Sequence, residues 1–521
     1  MITMVPTITT PVKERVGIPS VTTAGLKAKL CCIAATGLTL LASAVEAGDW
    51  KVIPRLAIEE TYTDNVRLSA HDRSGDFITT VTPGVSVRGK SARLTSSIDF
   101  NRQERFFADQ SQFDGGNNQL QAAVDSTLVK NWLFFDVNSR MSQQSIDNRL
   151  SFSRVDRGTN GNLNDVTSYE LAPHVTHTFG SLGSMDLSYE RQSINRALSN
   201  NSASNGPGFF DGAASSSDSD RFALDLRSGA ATGRFPIGLN ASSRDAQFQS
   251  GRVEKFKRLA GDLSYIWNSE FRFTGRGGYD DNRFATTRSL ASGATWSIGG
   301  TWTPSPRTSV MVDWGDHFFG KALKVNADHR LRRWHFSFRY DKDVRTNSDY
   351  ERALQLVPLF DGNGQPVFDP NGQIFVPIDS PGATTDVFIE KNLSTQVSYK
   401  LRRSELHLTY FQADRVHLST SRTDRNRGVG FDIDRALRPR LHASLGVQWR
   451  ENKDSTLTSS GTFYSIFPSL NYELNRHATA RLRYEYTVSN HGDLSAIGFV
   501  FDRERATYLE NAVTASLILH L

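Results

Sequence analysis

Three histidines each stand two residues before a serine, a spacing that could support nucleophilic chemistry. The pairs are His335/Ser337, His417/Ser419 and His442/Ser444. Residues two apart on a β-strand share a face, so the imidazole could act as a base toward the hydroxyl. The chain is rich in serine, however, and such pairs arise readily by chance in period-2 segments. We therefore predict no catalytic residues and expect that the protein is not an enzyme.

Acidic residues offer a second kind of chemistry, the binding of metal ions. Two near-repeats, 360–365 and 368–373, carry Asp-x-Asn. A calcium loop would continue with a third Asp or Asn and a glycine at its sixth position. Where the third Asp or Asn should stand, these segments have Gln365 and Gln373. Where the glycine should stand, at the sixth residue of the loop, they have Pro366 and Ile374. Because Asn-Gly strongly favours a two-residue hairpin turn, we expect turns there rather than calcium sites.

Another acidic pair, Asp432 and Asp434, alternates with Phe431 and Ile433. This alternation is typical of the polar face of a strand, and the pair needs no bound metal to explain it. We expect no metal site and no cofactor.

The elements that position all these residues are strands. In the segment 334–340 the aromatic residues occupy one face and the polar residues the other. The segments 441–450 and 480–488 alternate in the same way, with Arg339, Arg450, Arg481 and Arg483 on their polar faces. Such two-faced strands suit a barrel with an apolar outer surface and a wet lumen, and we expect these arginines to point inward.

Short turns and long polar connections alternate along the chain. We predict ten short turns, at 89–91, 129–131, 180–183, 232–234, 268–269, 304–306, 332–333, 402–404, 438–440 and 475–477. If both chain ends lie on the same side of the membrane as these ten turns, the chain forms eleven hairpins. The sequence thus predicts an all-β fold, a transmembrane antiparallel up-and-down β-barrel of about 22 strands, with a range of about 18–24. A soluble β-sandwich, propeller or solenoid is the alternative.

Two further features orient the predicted barrel. Aromatic residues lie beside the short turns, as at a membrane interface; they are Trp132, Phe179, Phe235, Trp267, Trp302 and Trp334. The last strand alternates apolar residues up to Leu521, which resembles the signal read by barrel-assembly machinery. Short turns then face the periplasm and long loops the exterior. The longest loop, around 346–386, is the candidate for a constriction of the lumen.

The first 47 residues differ from the rest. A basic segment precedes an apolar stretch of 30–44, and small residues stand before Gly48, which predicts a signal peptide cleaved near Ala47. The apolar stretch is too short for a membrane-spanning helix. Both cysteines, Cys31 and Cys32, lie in this leader, so we expect no disulfide or thiolate chemistry in the remaining chain. Strand signals begin at Trp50, which leaves no room for an N-terminal plug domain.

Overall composition agrees with a polar barrel. The chain has 521 residues, 38% of them hydrophobic, a formal charge of +5 and 32 phenylalanines. Its Lys and Arg residues form no basic block, so we expect no nucleic-acid partner.

A family resemblance lies near the start of the predicted barrel. The segments 60–66 (ETYTDNV) and 76–85 (DFITTVTPGV) resemble the outer-membrane β-barrel proteins associated with PEP-CTERM/exosortase systems, close to the group called β-barrel porin 2. Genes for that family often lie beside exopolysaccharide biosynthesis genes. The motif is confined to the start of the predicted barrel and carries no established catalytic or binding residues. The resemblance implies an outer-membrane barrel that serves surface polysaccharide.

We therefore expect a conduit or accessory in exopolysaccharide export, located in the cell outer membrane. A general diffusion porin for small solutes is the alternative, and a surface adhesion or structural barrel is a second. Expected partners are outer-membrane lipids and the barrel-assembly machinery, together with polysaccharide and periplasmic export components.

Overall fold

The residues described by the computed structural model are 48–145, 163–198, 216–287, 291–355, 386–455, 460–490 and 507–520. The predicted leader 1–47, with Cys31 and Cys32, and the two near-repeats of 360–373 lie outside them.

Twenty-two strands are formed by the described residues, as the alternation predicts. They are β1 Asp49–Thr63, β2 Asp76–Lys90, β3 Leu94–Phe107, β4 Gly115–Val129, β5 Leu133–Ser145, β6 Leu163–Thr178, β7 Gly183–Leu198, β8 Ser217–Ser228, β9 Ile237–Phe248, β10 Val253–Ile266, β11 Phe271–Arg283, β12 Gly293–Ser305, β13 Thr308–His317, β14 Gly320–Arg330, β15 Trp334–Arg345, β16 Phe388–Lys400, β17 Ser404–His417, β18 Thr423–Arg438, β19 Leu441–Asp454, β20 Gly461–Asn475, β21 Ala478–Asn490 and β22 Thr507–His520. One α-helix, α1 (Asn347–Gln355), follows β15, and short 3₁₀ turns occur at Ser111–Phe113 and Ala230–Thr232. No helix in the described ranges is long and apolar enough to cross a membrane.

Each strand pairs with its neighbours in the chain, and the sheet closes on itself. Strand β1 pairs with β22 in antiparallel register, from Arg55 opposite His520 to Thr63 opposite Ala512. Side chains join the same seam: the Thr61 and Thr514 hydroxyls lie 2.9 Å apart, and the Thr63 hydroxyl donates to Glu510 at 2.7 Å. Closure leaves neither strand with an unpaired edge, so the fold is the predicted up-and-down barrel.

The ten predicted short turns all lie at one end of the barrel, here called the short-turn rim. The opposite end, the long-loop rim, carries the remaining connections, including 346–387 between β15 and β16. A circular barrel of this strand number would be about 44 Å across its backbone, from a strand spacing of about 4.8 Å and a tilt of about 40°.

The two faces of the wall have opposite character. Large apolar side chains on the outer face are exposed, whereas the buried residues of the inner face are mainly polar or charged. Arg339, Arg450, Arg481 and Arg483 lie on inner-face positions, in phase with buried Asp341, Gln448 and Glu485. The aromatic residues beside the short turns are all on the outside, between 41% and 57% exposed. This polarity is that of a barrel standing in lipid.

We predict that a charge on this outer surface is costly. Leu187 of β7 is 46% exposed and lies between Val175 and Leu224 on the neighbouring strands. Leu187→Arg should lower the free energy of unfolding by about 2–4 kcal/mol, because arginine would lose its hydration in the bilayer. Urea titration in lipid vesicles would measure the loss. The control is Ser188→Arg, one residue along and facing the lumen, which should change stability far less; equal losses would contradict this orientation.

Candidate functional site

The candidate site is the lumen beneath the long-loop rim, where α1 lies between opposite parts of the wall. Strands β5–β7 and β15–β17 are ten strands apart in a closed ring of 22, so they face each other across the barrel. Helix α1 begins after Thr346, whose backbone N–H and hydroxyl donate to Asp349 at 2.8 and 2.7 Å. This local capping interaction starts the helix directly at the end of β15.

One side of α1 binds the wall formed by β16 and β17. The Tyr350 hydroxyl donates to Glu390, and the Arg415 guanidinium donates to the same carboxylate at 2.8 Å. Arg415 also lies 3.3 Å from Asp424, and its side chain is only 3% exposed. Arg415 thus links α1 to the buried carboxylate of Glu390 and the half-buried one of Asp424.

The next residues of α1 reach strands on the other side. Glu351 accepts from Arg196 of β7 at 2.7 Å and from Gln144 of β5 at 3.2 Å. The Arg196 and Glu351 side chains are 3% and 1% exposed, and neighbouring Arg352 pairs with Glu190. Because adjacent helix residues are fixed to opposite walls, α1 bridges the lumen.

Asp349 holds the start of α1 to a third strand. Its carboxylate accepts from Arg244 of β9 at 2.6 Å. Burial disfavours its ionised form, but the charge of Arg244 and the hydrogen bonds from Thr346 outweigh burial and lower the pKa of Asp349 below 3.8. This carboxylate therefore remains an anion down to acidic pH, and the stability it adds is lost only as pH falls through that lowered pKa.

Asp386 anchors the chain where it enters β16. It accepts from Arg252 at 3.1 Å and from Ser419 at 2.5 Å, and it lies 3.3 Å from His417. Burial opposes ionisation of Asp386, but the hydrogen bonds from His417, Ser419 and Arg252 lower its pKa well below the usual range. Both described ends of the segment 346–387 are thus held by ion pairs.

The position of Asp386 also indicates the role of the predicted His417/Ser419 pair. Both side chains contact this carboxylate, and His417 also lies 2.6 Å from Asp424 and 2.9 Å from Arg422. A hydrolytic triad needs the histidine between the serine and the acid, whereas here the acid lies between the other two. The geometry favours a structural role.

The other sequence candidates are dispersed over the inner wall. His335 pairs with Asp328 at 2.7 Å, and the Ser444 hydroxyl lies 2.6 Å from that of Ser469. Asp432 and Asp434 face inward on β18, as the alternation predicts. In the part of the chain that the structure describes, no group of three His, Asp or Glu residues is arranged to hold a metal ion.

A polar cavity of about 450 Å³ is open on the inner wall of β12–β17. Exposed Arg339 lies in it, opposite Ser394 in the β15–β16 register. The other lining side chains carry mostly hydroxyl and amide groups; they include Thr301, Ser309, Asn326, Asp328, Ser337, Gln396 and Thr409. Such a surface offers many hydrogen-bond donors and acceptors, one cation (Arg339) and one carboxylate, that of Asp328, which is paired with Arg330 and His335.

The remaining predicted inward arginines contact the wall itself. Arg481 donates to Asn471 at 2.6 Å, and Arg483 lies 3.9 Å from Glu485. Arg450 lies over the Phe411 ring, 5.9 Å from its centroid. Arg339 differs from them because it is exposed to the lumen.

Sequence reasoning missed α1 and its partners. The segment 346–352 does contain a signal, since Thr346 and Asp349 have the spacing of a helix N-cap. Its ion pairs could not be anticipated, because Glu351 meets Arg196 across 155 residues of chain.

Comparisons with known proteins agree with this architecture. No family model matches the chain, and no curated protein matches it. Among solved structures, it is similar to the FrpB iron transporter from Neisseria meningitidis in its apoprotein form, with 10% identity, 92% of this chain and 82% of that chain covered, and a TM-score of 0.51. It is also similar to a mutant ferric enterobactin receptor, PfeA, from Pseudomonas aeruginosa, with 8% identity, 91% and 81% covered, and a TM-score of 0.50.

At such identities the likeness shows the fold alone. Both neighbours are barrels of the outer membrane, and the closed sheet of this chain carries an apolar outer surface with an aromatic girdle. The chain is accordingly an outer-membrane β-barrel protein.

Proposed function

We propose that the chain is an outer-membrane conduit, or an accessory to one, in the export of a surface polysaccharide. The observation that carries the proposal is the polar cavity around Arg339. Hydroxyl and amide groups can exchange hydrogen bonds with sugar hydroxyls, and a guanidinium suits the carboxylate of an acidic sugar. Contacts of this kind are individually weak, so a moving polymer can replace one with the next.

The position of α1 supports a controlled conduit. A hydrogen bond between Tyr350 and Arg415 on one side, and the ion pair of Glu351 with Arg196 on the other, place α1 across the lumen. Passage of a polymer would then require the polymer to pass beside α1 or to displace it. Periplasmic export components would deliver the polymer from the short-turn rim.

A general diffusion porin is the second candidate. The balance of inward charges favours it, since cations and anions of the wall pair with each other. Arg258, for example, binds Asp280 through two hydrogen bonds of 2.7 and 3.1 Å. A lumen with its charges paired in this way has little preference for the charge of a small solute.

Binding of acidic oligosaccharide tests the first proposal. We predict that oligomers of a uronic acid block the current through the barrel in planar bilayers, and that Arg339→Met weakens the block about tenfold. A charged hydrogen bond contributes roughly 1.5–3 kcal/mol, and 1.4 kcal/mol corresponds to a factor of ten. Neutral oligomers of equal length should be affected less by the substitution.

Arg276→Met is the matched control, because Arg276 is an exposed inward arginine of β11 outside the cavity. If both variants lose the block equally, Arg339 has no special role. A deletion strain separates the two functions: unchanged amount and chain length of exported polysaccharide would refute export while leaving a porin.

A further inference from the structure

Basic side chains form a row on the outer face of β15–β19, close to the long-loop rim. In the strand registers Lys342 is opposite Lys391, Lys391 opposite Asp414, Asp414 opposite Arg425, and Arg425 opposite Lys453. Five neighbouring strands therefore place four cations and one anion side by side. We call these five residues the basic row.

The basic row lies where the lipid-facing surface ends. Lys342 lies on the same face of β15 as Phe338, which is four residues nearer the short-turn rim. Lys453 lies on the same face of β19 as Val447. Phe338 and Val447 are exposed outward, at 38% and 37%. Four residues of strand span about 13 Å, so the row stands above the apolar surface at the depth of lipid headgroups.

The charges of the row are only partly satisfied by the protein. Arg425 pairs with Asp414, and the Lys342 ammonium donates to the backbone carbonyl of Lys321 at 2.7 Å. Lys391 and Lys453 are exposed, and no carboxylate of the described residues lies within ion-pair distance of either. Lys391 also lies directly opposite Lys342, and like charges in opposite positions of neighbouring strands repel each other.

At the same rim, strands β1 and β8 carry outward acidic residues. They are Glu60 on β1, and Asp218 and Asp220 on β8. The outward basic residues of β3 and β7 are paired: Arg102 with Glu104 at 2.6 Å, and Arg191 with Asp220 at 2.9 Å. On these strands the outward basic residues are thus neutralised by neighbouring carboxylates, unlike Lys391 and Lys453 of the basic row.

We propose that the basic row binds the phosphate groups of an outer-leaflet glycolipid. Side chains on adjacent strands stand about 5 Å apart, so one phosphate can contact two cations at once. Lysine binds phosphate as a compact point charge, which suits a headgroup that can rotate. The acyl chains of the same lipid would lie along the apolar surface directly below, beside Phe338 and Val447.

The test compares lipid binding by the row variant Lys342→Gln/Lys391→Gln/Lys453→Gln with the wild-type barrel. Both are reconstituted in phosphatidylcholine vesicles with and without diphosphorylated lipid A. We expect lipid A to raise the thermal unfolding midpoint of the wild type and to remain bound through purification. Each lysine near a membrane surface contributes about a fivefold gain, so the row variant should bind about a hundredfold more weakly.

The control carries the same loss of charge at the opposite rim, as Lys130→Gln/Arg332→Gln/Arg402→Gln, and should behave like the wild type. Equal binding by the row variant and the wild type would overturn the proposal. Equal stabilisation by dephosphorylated lipid A would overturn it too, because phosphate would then not be recognised. If the row variant does not fold, Lys391→Gln alone removes an exposed side chain and should still bind more weakly, by about fivefold.

Discussion

Glu351→Ala is expected to weaken the attachment of α1 to β7, leaving the Arg352–Glu190 pair to hold it there, and to raise the single-channel conductance of the barrel several-fold. The substitution leaves Arg196 buried and without its carboxylate, and breaking a buried ion pair in this way costs about 3–5 kcal/mol. The cost falls on the state in which α1 bridges the lumen, because only that state buries the pair. Single-channel recording in planar bilayers measures the change directly.

Two companion variants make this result specific to the contact. Glu270→Ala removes an exposed carboxylate from a short turn and should leave the conductance unchanged. The reversed pair Glu351→Arg/Arg196→Glu should recover part of the wild-type behaviour, since opposite charges again meet. If Glu351→Ala conducts like the wild type, the Glu351–Arg196 contact does not hold α1 in a position that limits conduction.

The second large effect is expected on stability, from Arg415→Met. Arg415 is buried between Glu390 and Asp424, and methionine fills much of its volume while leaving both carboxylates without their common cation. We expect the free energy of unfolding to fall by about 3–5 kcal/mol. Urea titration in lipid vesicles, followed by tryptophan fluorescence, would measure this loss.

Arg276→Met serves as its control, because Arg276 is exposed in the lumen and should contribute less than about 0.5 kcal/mol. Arg415→Lys should rescue only part of the loss, since one ammonium cannot reach Glu390, Asp424 and Tyr350 in the same planar geometry. Full stability of Arg415→Met would show that the two carboxylates are satisfied in another way.

The number of strands and the direction in which their side chains point were predictable from the sequence, because both depend on local patterns. Alternation of apolar and polar residues over about ten positions decides which side chains face lipid and which face the lumen. It correctly places Arg481 and Arg483 in the lumen. Short turns such as 402–404 bring consecutive strands together with no information from elsewhere in the chain. In a barrel whose neighbours in space are neighbours in sequence, these two signals suffice for the topology.

The candidate site was not predictable in the same way. The length of the loop 346–386 predicts a constriction, but no local pattern predicts that Tyr350 contacts Glu390 or that Glu351 contacts Arg196. Such contacts depend on the curvature of the closed barrel, which brings β5–β7 opposite β15–β17. Likewise, the cavity around Arg339 combines inward residues of six strands, each of which looks like ordinary lumen lining in isolation.

The seam between β1 and β22 has a consequence for the order of assembly. Thr61 and Thr514 are 453 residues apart, whereas every other pair of neighbouring strands is consecutive in the chain. Twenty-one pairings are therefore local in contact order, and one spans nearly the whole barrel. Until that last pairing forms, the sheet has two free edges that can recruit foreign strands. Release of the barrel from its assembly machinery should thus be a late, all-or-none event, because β1 must be kept available until β22 arrives.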